Sequence, residues 1–164
     1  MPDTISALII EDSDHDAGVL EKSLSAYEHI ASFRLTALGE VDDCITSVYP
    51  DVAIVDLYLP DSAGLATLHS LKRKMAAVGN SAPIIVLTDD DDLELASMAI
   101  SSGAQDWIVK GEANGNVKRA VAVAVARHSA CVEASRQLQD YINEKTIMVN
   151  GHSVFAAVMT TTGY

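Results

Sequence analysis

Five short apolar runs alternate along the chain with segments in which apolar residues recur every three or four positions. The runs occupy residues 7–10, 33–38, 52–55, 84–87 and 107–109. Each run is continuously apolar, and several are rich in Val and Ile, which predicts strands that are covered on both faces of a sheet. The segments between and after the runs space their apolar residues as one face of a helix does.

Strand and helix thus alternate five times, and this alternation predicts the fold class. A helix between successive strands gives right-handed crossovers and a parallel sheet with helices on both faces, which is a doubly wound α/β fold. In sheets of this kind, ligands bind beyond the carboxyl ends of the strands. The residues that end the strands are therefore the first candidates for a functional site.

Acidic, hydroxyl and ammonium groups stand at these predicted strand ends. They are Glu11 and Asp12 after the first strand, Asp56 after the third, Thr88 after the fourth and Lys110 after the fifth. Carboxylates from two strands form an oxygen-rich site of the kind that Mg²⁺ or Mn²⁺ prefers. Each residue alone has an ordinary explanation, such as an Asp that caps the next helix. The ordered combination is far more specific than its members.

The same residues suggest phosphoryl transfer. A cation would offset the repulsion among three clustered carboxylates and an incoming phosphoryl group. Lys110 supplies an ammonium group and Thr88 a hydroxyl group for phosphoryl oxygens. Asp56 is then the candidate nucleophile, and its attack would form an acyl phosphate.

With these residues in place, the sequence resembles the receiver domains of bacterial and archaeal response regulators. The matching stretches are 8–12 (LIIED), 54–61 (IVDLYLPD), 85–88 (IVLT) and 106–110 (DWIVK), and Gly64 fits the family's loop into the third helix. The resemblance covers residues 5 to 128, approximately. It implies a flavodoxin-like sheet of five parallel strands in the order 2-1-3-4-5, here followed by an extended C-terminal helix.

The resemblance also implies the roles of the acidic residues. Asp56 resembles the phosphoacceptor, which takes its phosphoryl group from a histidine kinase or a histidine phosphotransfer protein. Asp12 resembles the direct ligand of a Mg²⁺ or Mn²⁺ ion, and Glu11 resembles the acid that acts through water. The backbone carbonyl of Tyr58 is implied as a further metal ligand.

The remaining implied roles concern signalling. Lys110 resembles the lysine that pairs with the phosphoryl group. Thr88 resembles the switch hydroxyl, and Trp107 stands where the family has its switch aromatic residue, usually Tyr or Phe. Phosphorylation would shift the population between two packings and alter the face of the fourth helix, fifth strand and fifth helix, at residues 91–125. A downstream effector or a fused output domain would read that face.

Three positions depart from the family's usual pattern. Asp89 follows Thr88 directly, where a small residue is more common, and its carboxylate is expected to repel a phosphoryl donor and narrow the approach. Asp90 occupies a position that helps to set the dephosphorylation rate in the family. Gly111 replaces a frequent cis proline, and we expect a trans bond there because a cis bond before glycine is costly. Both aspartates also suit the amino end of the next helix.

Charge and composition narrow the partners. The net charge of −12 repels phosphate backbones, which argues against direct binding of DNA or RNA. No apolar stretch is long enough to span a membrane, and the acidic N-terminal segment does not resemble a signal peptide, so we expect a cytoplasmic location. Cys44 and Cys131 lack metal-ligand spacing, and we expect them to be small buried hydrophobic residues in a reducing compartment.

The chain continues well past the receiver-like part. We predict a receiver domain at residues 1–128 and a helical extension with a tail at residues 129–164. The last helix is predicted to begin near Asn114 or Asn116, either of which is a plausible cap, and to run past the domain. Three roles are open for the part beyond the domain: a solvated helical tail, a linker to an output domain that this sequence lacks, or a helix that pairs in a homodimer. Asn150 and Gly151 then predict a hairpin turn.

Other functions remain open at this point. The same fold could serve as an interaction module without phosphorylation, and Asp89 and Gly111 are the arguments for that alternative. A Mg²⁺-dependent phosphohydrolase with an aspartyl nucleophile usually has a second acid two residues later, where this chain has Tyr58. A flavin-binding protein of similar topology would need a phosphate-binding loop after the first strand, but residues 11–16 at that position are strongly acidic. We therefore expect a signalling domain and not an enzyme.

Overall fold

The computed structural model describes residues 4–89, 93–149 and 152–155, with backbone alone at 112–115, 146–149 and 152–155. Its strands and helices follow one another along the chain. They are β1 (Ile5–Ile10), α1 (Asp14–Ser25), β2 (Ile30–Leu35), α2 (Val41–Ile45), β3 (Val52–Asp56), β4 (Tyr58–Leu59), β5 (Ser62–Ala63), α3 (Leu65–Ala77), β6 (Ile84–Thr88), α4 (Leu93–Ser101), β7 (Asp106–Val109), α5 (Ala113–Lys145), β8 (Thr146–Val149) and β9 (His152–Phe155). Short 3₁₀ turns at Leu38–Glu40 and Lys110–Glu112 precede α2 and α5.

The central sheet has five parallel strands in the order β2-β1-β3-β6-β7. With the two-residue strands β4 and β5 set aside, this is the predicted order 2-1-3-4-5. The prediction of a doubly wound, flavodoxin-like α/β fold with a long C-terminal helix is confirmed.

Alternate side chains of the strands enter two separate cores, one on each face of the sheet. Ile9, Ile54 and Ile85 pack with α1 and α5. Val55 and Val86, one residue further along β3 and β6, pack on the opposite face with α2, α3 and α4. This division follows from the two-residue period of a strand, and each fully buried Ile or Val contributes about 1.5–3 kcal/mol. The middle of the sheet is thereby fixed from both sides.

The second strand was predicted too late in the chain. It spans Ile30–Leu35, and the predicted residue Leu38 begins a 3₁₀ turn instead. Pairing with β1 explains the difference, because Ile10 is the last residue of β1 and lies opposite Leu35. The strand is also not covered on both faces, since it forms the edge of the sheet and 38% of Phe33 is exposed.

The last helix begins earlier than predicted. The chain passes from the 3₁₀ turn directly into α5 at Ala113, so Asn114 and Asn116 lie inside the helix and neither is its cap. The peptide bond before Gly111 is trans, as expected. The chain divides into two compact units, residues 1–128 and residues 129–164, and α5 runs through the division.

The second unit contains the end of α5 and two short strands. Strands β8 and β9 pair antiparallel, with Val149 opposite His152. The predicted turn residues Asn150 and Gly151, and the tail after Phe155, lie outside the described residues. Within the described part of the chain, none of the helices combines the length and apolar character that a membrane span requires.

Candidate phosphoryl-transfer site

The parallel sheet brings the predicted strand-end residues to one edge. Asp56 and Thr88 are the last residues of β3 and β6, and both are buried. Glu11 follows β1 directly and Lys110 follows β7 directly. Because these strands are neighbours and all run in the same direction, residues that are far apart in the chain meet beyond the carboxyl ends of the strands.

Lys110 lies at the centre of this group. Its Nζ atom is 2.8 Å from Asp56 Oδ2 and 3.0 Å from Glu11 Oε2. Only 10% of the Lys110 side chain, 4% of Asp56 and none of Glu11 is exposed to solvent. Charges so shielded interact more strongly than charges at the surface. The ammonium group is therefore held between two buried carboxylates.

Burial and charge contacts shift the pKa values of Glu11 and Lys110. Burial raises the pKa of the Glu11 carboxyl, although the Ser13 N–H group and Lys110 both oppose the rise. Burial alone would lower the pKa of Lys110, but the hydrogen bond to Asp56 and the negative charges of Asp56 and Glu11 outweigh the burial, and the pKa is raised. One ammonium group faces two buried carboxylates, so the centre of the site retains an excess of negative charge.

Three carboxylates at this edge fit a divalent cation. Each of Glu11, Asp12 and Asp56 offers an oxygen, and these oxygens lie within 4.8 Å of one another. Glu11 Oε2 is fully buried and accepts no hydrogen bond of normal geometry, although Lys110 is near. Asp12, by contrast, is exposed. An oxygen-only donor set with one side open to water suits Mg²⁺ or Mn²⁺, which keep several water ligands.

The loop after β3 holds the Asp56 carboxylate from the other side. The Tyr58 backbone N–H group donates to Asp56 Oδ1 at 2.9 Å, while the Tyr58 side chain is exposed. Strands β4 and β5 fold the loop back, and the buried Thr67 hydroxyl group donates to the Leu57 carbonyl at 2.9 Å. Gly64 directly precedes α3 and has φ +61° and ψ −148°, a conformation that essentially only glycine adopts. Asp56 is thus held by contacts to both of its oxygens.

The two candidate switch residues lie on one face of the sheet. Trp107 is partly buried and packs against the core formed with α2, α3 and α4. Trp107 lies opposite Val86 of β6, and Thr88 lies two residues after Val86 on that strand. Since residues two apart in a strand point the same way, Thr88 and Trp107 face the same helices. Their positions suit coupled movement.

Two further acids contact Lys110. Asp89 Oδ1 is 3.3 Å and Asp16 Oδ2 is 3.7 Å from Nζ, and 70% of Asp89 and 27% of Asp16 are exposed. Sequence reasoning gave Asp89 a repulsive role and missed its attraction to Lys110. It gave Asp16 no role, although the spacing of Ser13 and Asp16 is that of a helix cap and the third residue of the helix. In the structure, Ser13 caps α1 and accepts from the Asp16 N–H group at 3.3 Å. That spacing places Asp16 in the first turn of the helix. Asp90 lies outside the described residues.

Comparison with known proteins agrees with this architecture. The sequence profile described as "Response regulator receiver domain" matches residues 7–122. The chain therefore belongs to the response regulator receiver domain family of two-component signalling.

Two curated relatives show how much of a longer protein this chain represents. It is 31% identical over 104 residues to the DNA-binding transcriptional regulator NtrC of Klebsiella pneumoniae, and this alignment covers 63% of this chain and 21% of that protein. It is 26% identical over 151 residues to the cell cycle transcriptional regulator CtrA of Caulobacter vibrioides, and this alignment covers 90% of this chain and 63% of that protein. The chain thus spans less than two thirds of each.

Solved structures show the same fold. The signal receiver domain of an HD domain-containing protein from Pseudomonas fluorescens aligns with a TM-score of 0.69 and 19% identity, over 81% of this chain and 95% of that one. At this level of identity the likeness concerns the fold, and the chemistry has to be argued from the residues themselves.

Proposed function

We propose that Asp56 accepts a phosphoryl group from a phosphohistidine of a kinase or phosphotransfer protein. The observation that carries the proposal is the buried Asp56 carboxylate, with Oδ1 bonded to the Tyr58 N–H group and Oδ2 to Lys110 Nζ. One carboxylate oxygen forms a bond to phosphorus, the phosphorus–nitrogen bond breaks, and its electron pair returns to the imidazole. The product is an acyl phosphate on Asp56.

Glu11, Asp12, Asp56 and the Tyr58 carbonyl would hold a Mg²⁺ or Mn²⁺ ion. When bound, that ion supplies positive charge against the carboxylates and the phosphoryl oxygens. Lys110 supplies a second positive charge that is already positioned, because the ion pairs with Asp56 and Glu11 keep its ammonium group at the site. Its raised pKa keeps it charged at neutral pH. The Thr88 hydroxyl group is the further donor for a phosphoryl oxygen.

Signalling would follow from the shared face of Thr88 and Trp107. Movement of Thr88 toward the phosphoryl group opens space beside the core formed with α2, α3 and α4, which Trp107 already contacts. Rotation of the indole into that space would alter α4, β7 and α5, which are the surface read by an effector or a fused output domain. The indole is larger than the usual phenol or phenyl ring, so its rotation is expected to be less complete.

The two outer acids would slow the reaction. Asp89 and Asp16 contact Lys110 and therefore compete with a phosphoryl oxygen for its positive charge. They also place negative charge where the donor approaches. These contacts are the observation that favours a second candidate function, an interaction module that works without phosphorylation.

The setting of this function is also a proposal. We place the protein in the cytoplasm, without direct contact to nucleic acid and without turnover of an external substrate. The α5 extension exposes apolar side chains on Val132, Leu138 and Tyr141, which suits a homodimer. Light scattering before and after phosphorylation tests this, and a mass of one chain at every concentration would contradict it.

The main test combines Mg²⁺ with acetyl phosphate or beryllofluoride. With acetyl phosphate, intact mass should show one added phosphoryl group on the protein and none on Asp56→Asn. With either reagent, Trp107, which is the chain's one tryptophan, reports the switch by fluorescence. Asp43→Asn removes an exposed acid from α2 and is the matched control. Absence of any adduct on the unaltered protein would favour the interaction module. Continuous release of phosphate from an ester would favour a phosphohydrolase.

A further inference from the structure

Arg34 connects the edge strand to the loop that carries the acidic pair. Its Nε atom donates to the Glu11 carbonyl at 3.1 Å, and one terminal nitrogen donates to the Asp12 carbonyl, also at 3.1 Å. The other terminal nitrogen contacts Asp14 Oδ1 at 2.8 Å. Only 22% of the Arg34 side chain is exposed, although it belongs to an edge strand.

The Arg34 hydrogen bonds hold the backbone just beyond the last residue pair of β1 and β2. The pairing of β1 with β2 stops at Ile10, and the Glu11 N–H group still reaches the Leu35 carbonyl at 3.0 Å. Beyond that point, the carbonyl groups of Glu11 and Asp12 are held by a side chain and not by a strand. A guanidinium group offers several donors in one rigid plane and can hold both carbonyls at once, whereas a lysine cannot reproduce that fork.

We infer that Arg34 is a positioning residue for the divalent cation: it fixes the backbone of Glu11 and Asp12 so that both carboxylates face Asp56. The inference rests on the proposed function, since it assigns a support to the proposed metal ligands. Outer contacts that orient metal ligands commonly change metal affinity about 10- to 100-fold when they are removed.

The direction in which the metal Kd changes when Arg34 is replaced distinguishes a positioning role from an effect of its charge. Arg34 is a cation near a cation site, so its charge alone weakens metal binding, and its removal would strengthen binding. Positioning acts in the opposite direction, because loss of the fork frees the loop. Arg34→Met removes both charge and fork, and Arg34→Lys keeps the charge and removes the fork.

Binding of Mn²⁺ is measured by the paramagnetic resonance signal of the free ion, with Mg²⁺ as competitor. We expect the Kd for Mn²⁺ to rise about tenfold in Arg34→Lys. It should rise by a smaller factor in Arg34→Met, because loss of the nearby positive charge partly offsets loss of the fork. Asp14→Asn removes only the exposed partner of Arg34 and should change the Kd little, because 95% of the Asp14 side chain is in solvent. Circular dichroism confirms that each variant is folded at the temperature of the titration.

A normal Kd in Arg34→Lys, or tighter binding by Arg34→Met, would overturn the inference. Formation of the beryllofluoride adduct is a separate measurement that distinguishes failure of the positioning role from failure of the proposed function. If the unaltered protein forms the adduct and Arg34→Lys binds Mn²⁺ normally, the positioning role alone fails. If the unaltered protein forms no adduct at saturating Mg²⁺, the proposed function fails whatever the Kd values are.

Discussion

Replacing Asp89 by Asn tests whether its contact with Lys110 restrains phosphorylation. In the structure, Asp89 Oδ1 is 3.3 Å from Lys110 Nζ, but 70% of the Asp89 side chain is exposed. Solvent therefore screens the pair, and an interaction of this kind is worth about 0.2–1 kcal/mol. If that energy must be given up before Lys110 meets a phosphoryl oxygen, removal of the interaction should speed phosphorylation by a factor of about 1.4 to 5.

The assay follows phosphorylation by acetyl phosphate at saturating Mg²⁺, with the phosphorylated fraction read by intact mass. Glu28→Gln is the matched control, because Glu28 is an exposed acid in the turn between α1 and β2 and its replacement changes the net charge equally. A faster Asp89→Asn beside an unchanged Glu28→Gln supports a local effect. Equal acceleration in both would mean that net charge alone acts, and an unchanged or slower Asp89→Asn would refute the reasoning.

Three further predictions concern stability and are checked by urea unfolding in the presence of a chelator. The folded protein raises the Glu11 pKa above its ordinary value of 4.5, so the stability that this group contributes is present at acid pH and is lost as the pH rises through the folded pKa. Glu11→Gln lacks that loss, so its free energy of unfolding relative to the unaltered protein should increase as the pH rises above the ordinary value of 4.5, and a difference that does not change with pH would contradict this. Gly64→Ala should cost about 1–3 kcal/mol, because φ at this position is +61°. Gly18→Ala inside α1 should add about 0.5–1 kcal/mol, because alanine favours a helix interior more than glycine does and, apart from the backbone of α1 and the neighbouring residues, no described atom lies within 4 Å of the new methyl group. Two effects of the same sign would count against this argument. Thr67→Val should cost about 1–3 kcal/mol because it leaves the Leu57 carbonyl without its buried donor, and a neutral result would show that the loop after β3 does not depend on that bond.

The amino-acid sequence by itself determined the fold and the main residues at its edge. Five continuous apolar runs alternate with helical segments, and such alternation leaves few solutions other than a doubly wound parallel sheet. Once the strands are parallel, covalent order alone places Glu11, Asp56, Thr88 and Lys110 at the same edge. That part of the site required no knowledge of side-chain packing.

Tertiary structure alone decided the contacts around that centre. The apolar content of residues 30–35 and of residues 33–38 is similar, and only the pairing of Leu35 with Ile10 selects the strand. Arg34 reaches the acidic loop because of that same register. Likewise, Asp16 and Asp89 meet at Lys110 because a helix start and a strand end converge on one ammonium group. Such contacts join long side chains across distant segments, and their geometry is set by packing that no local pattern of residues encodes.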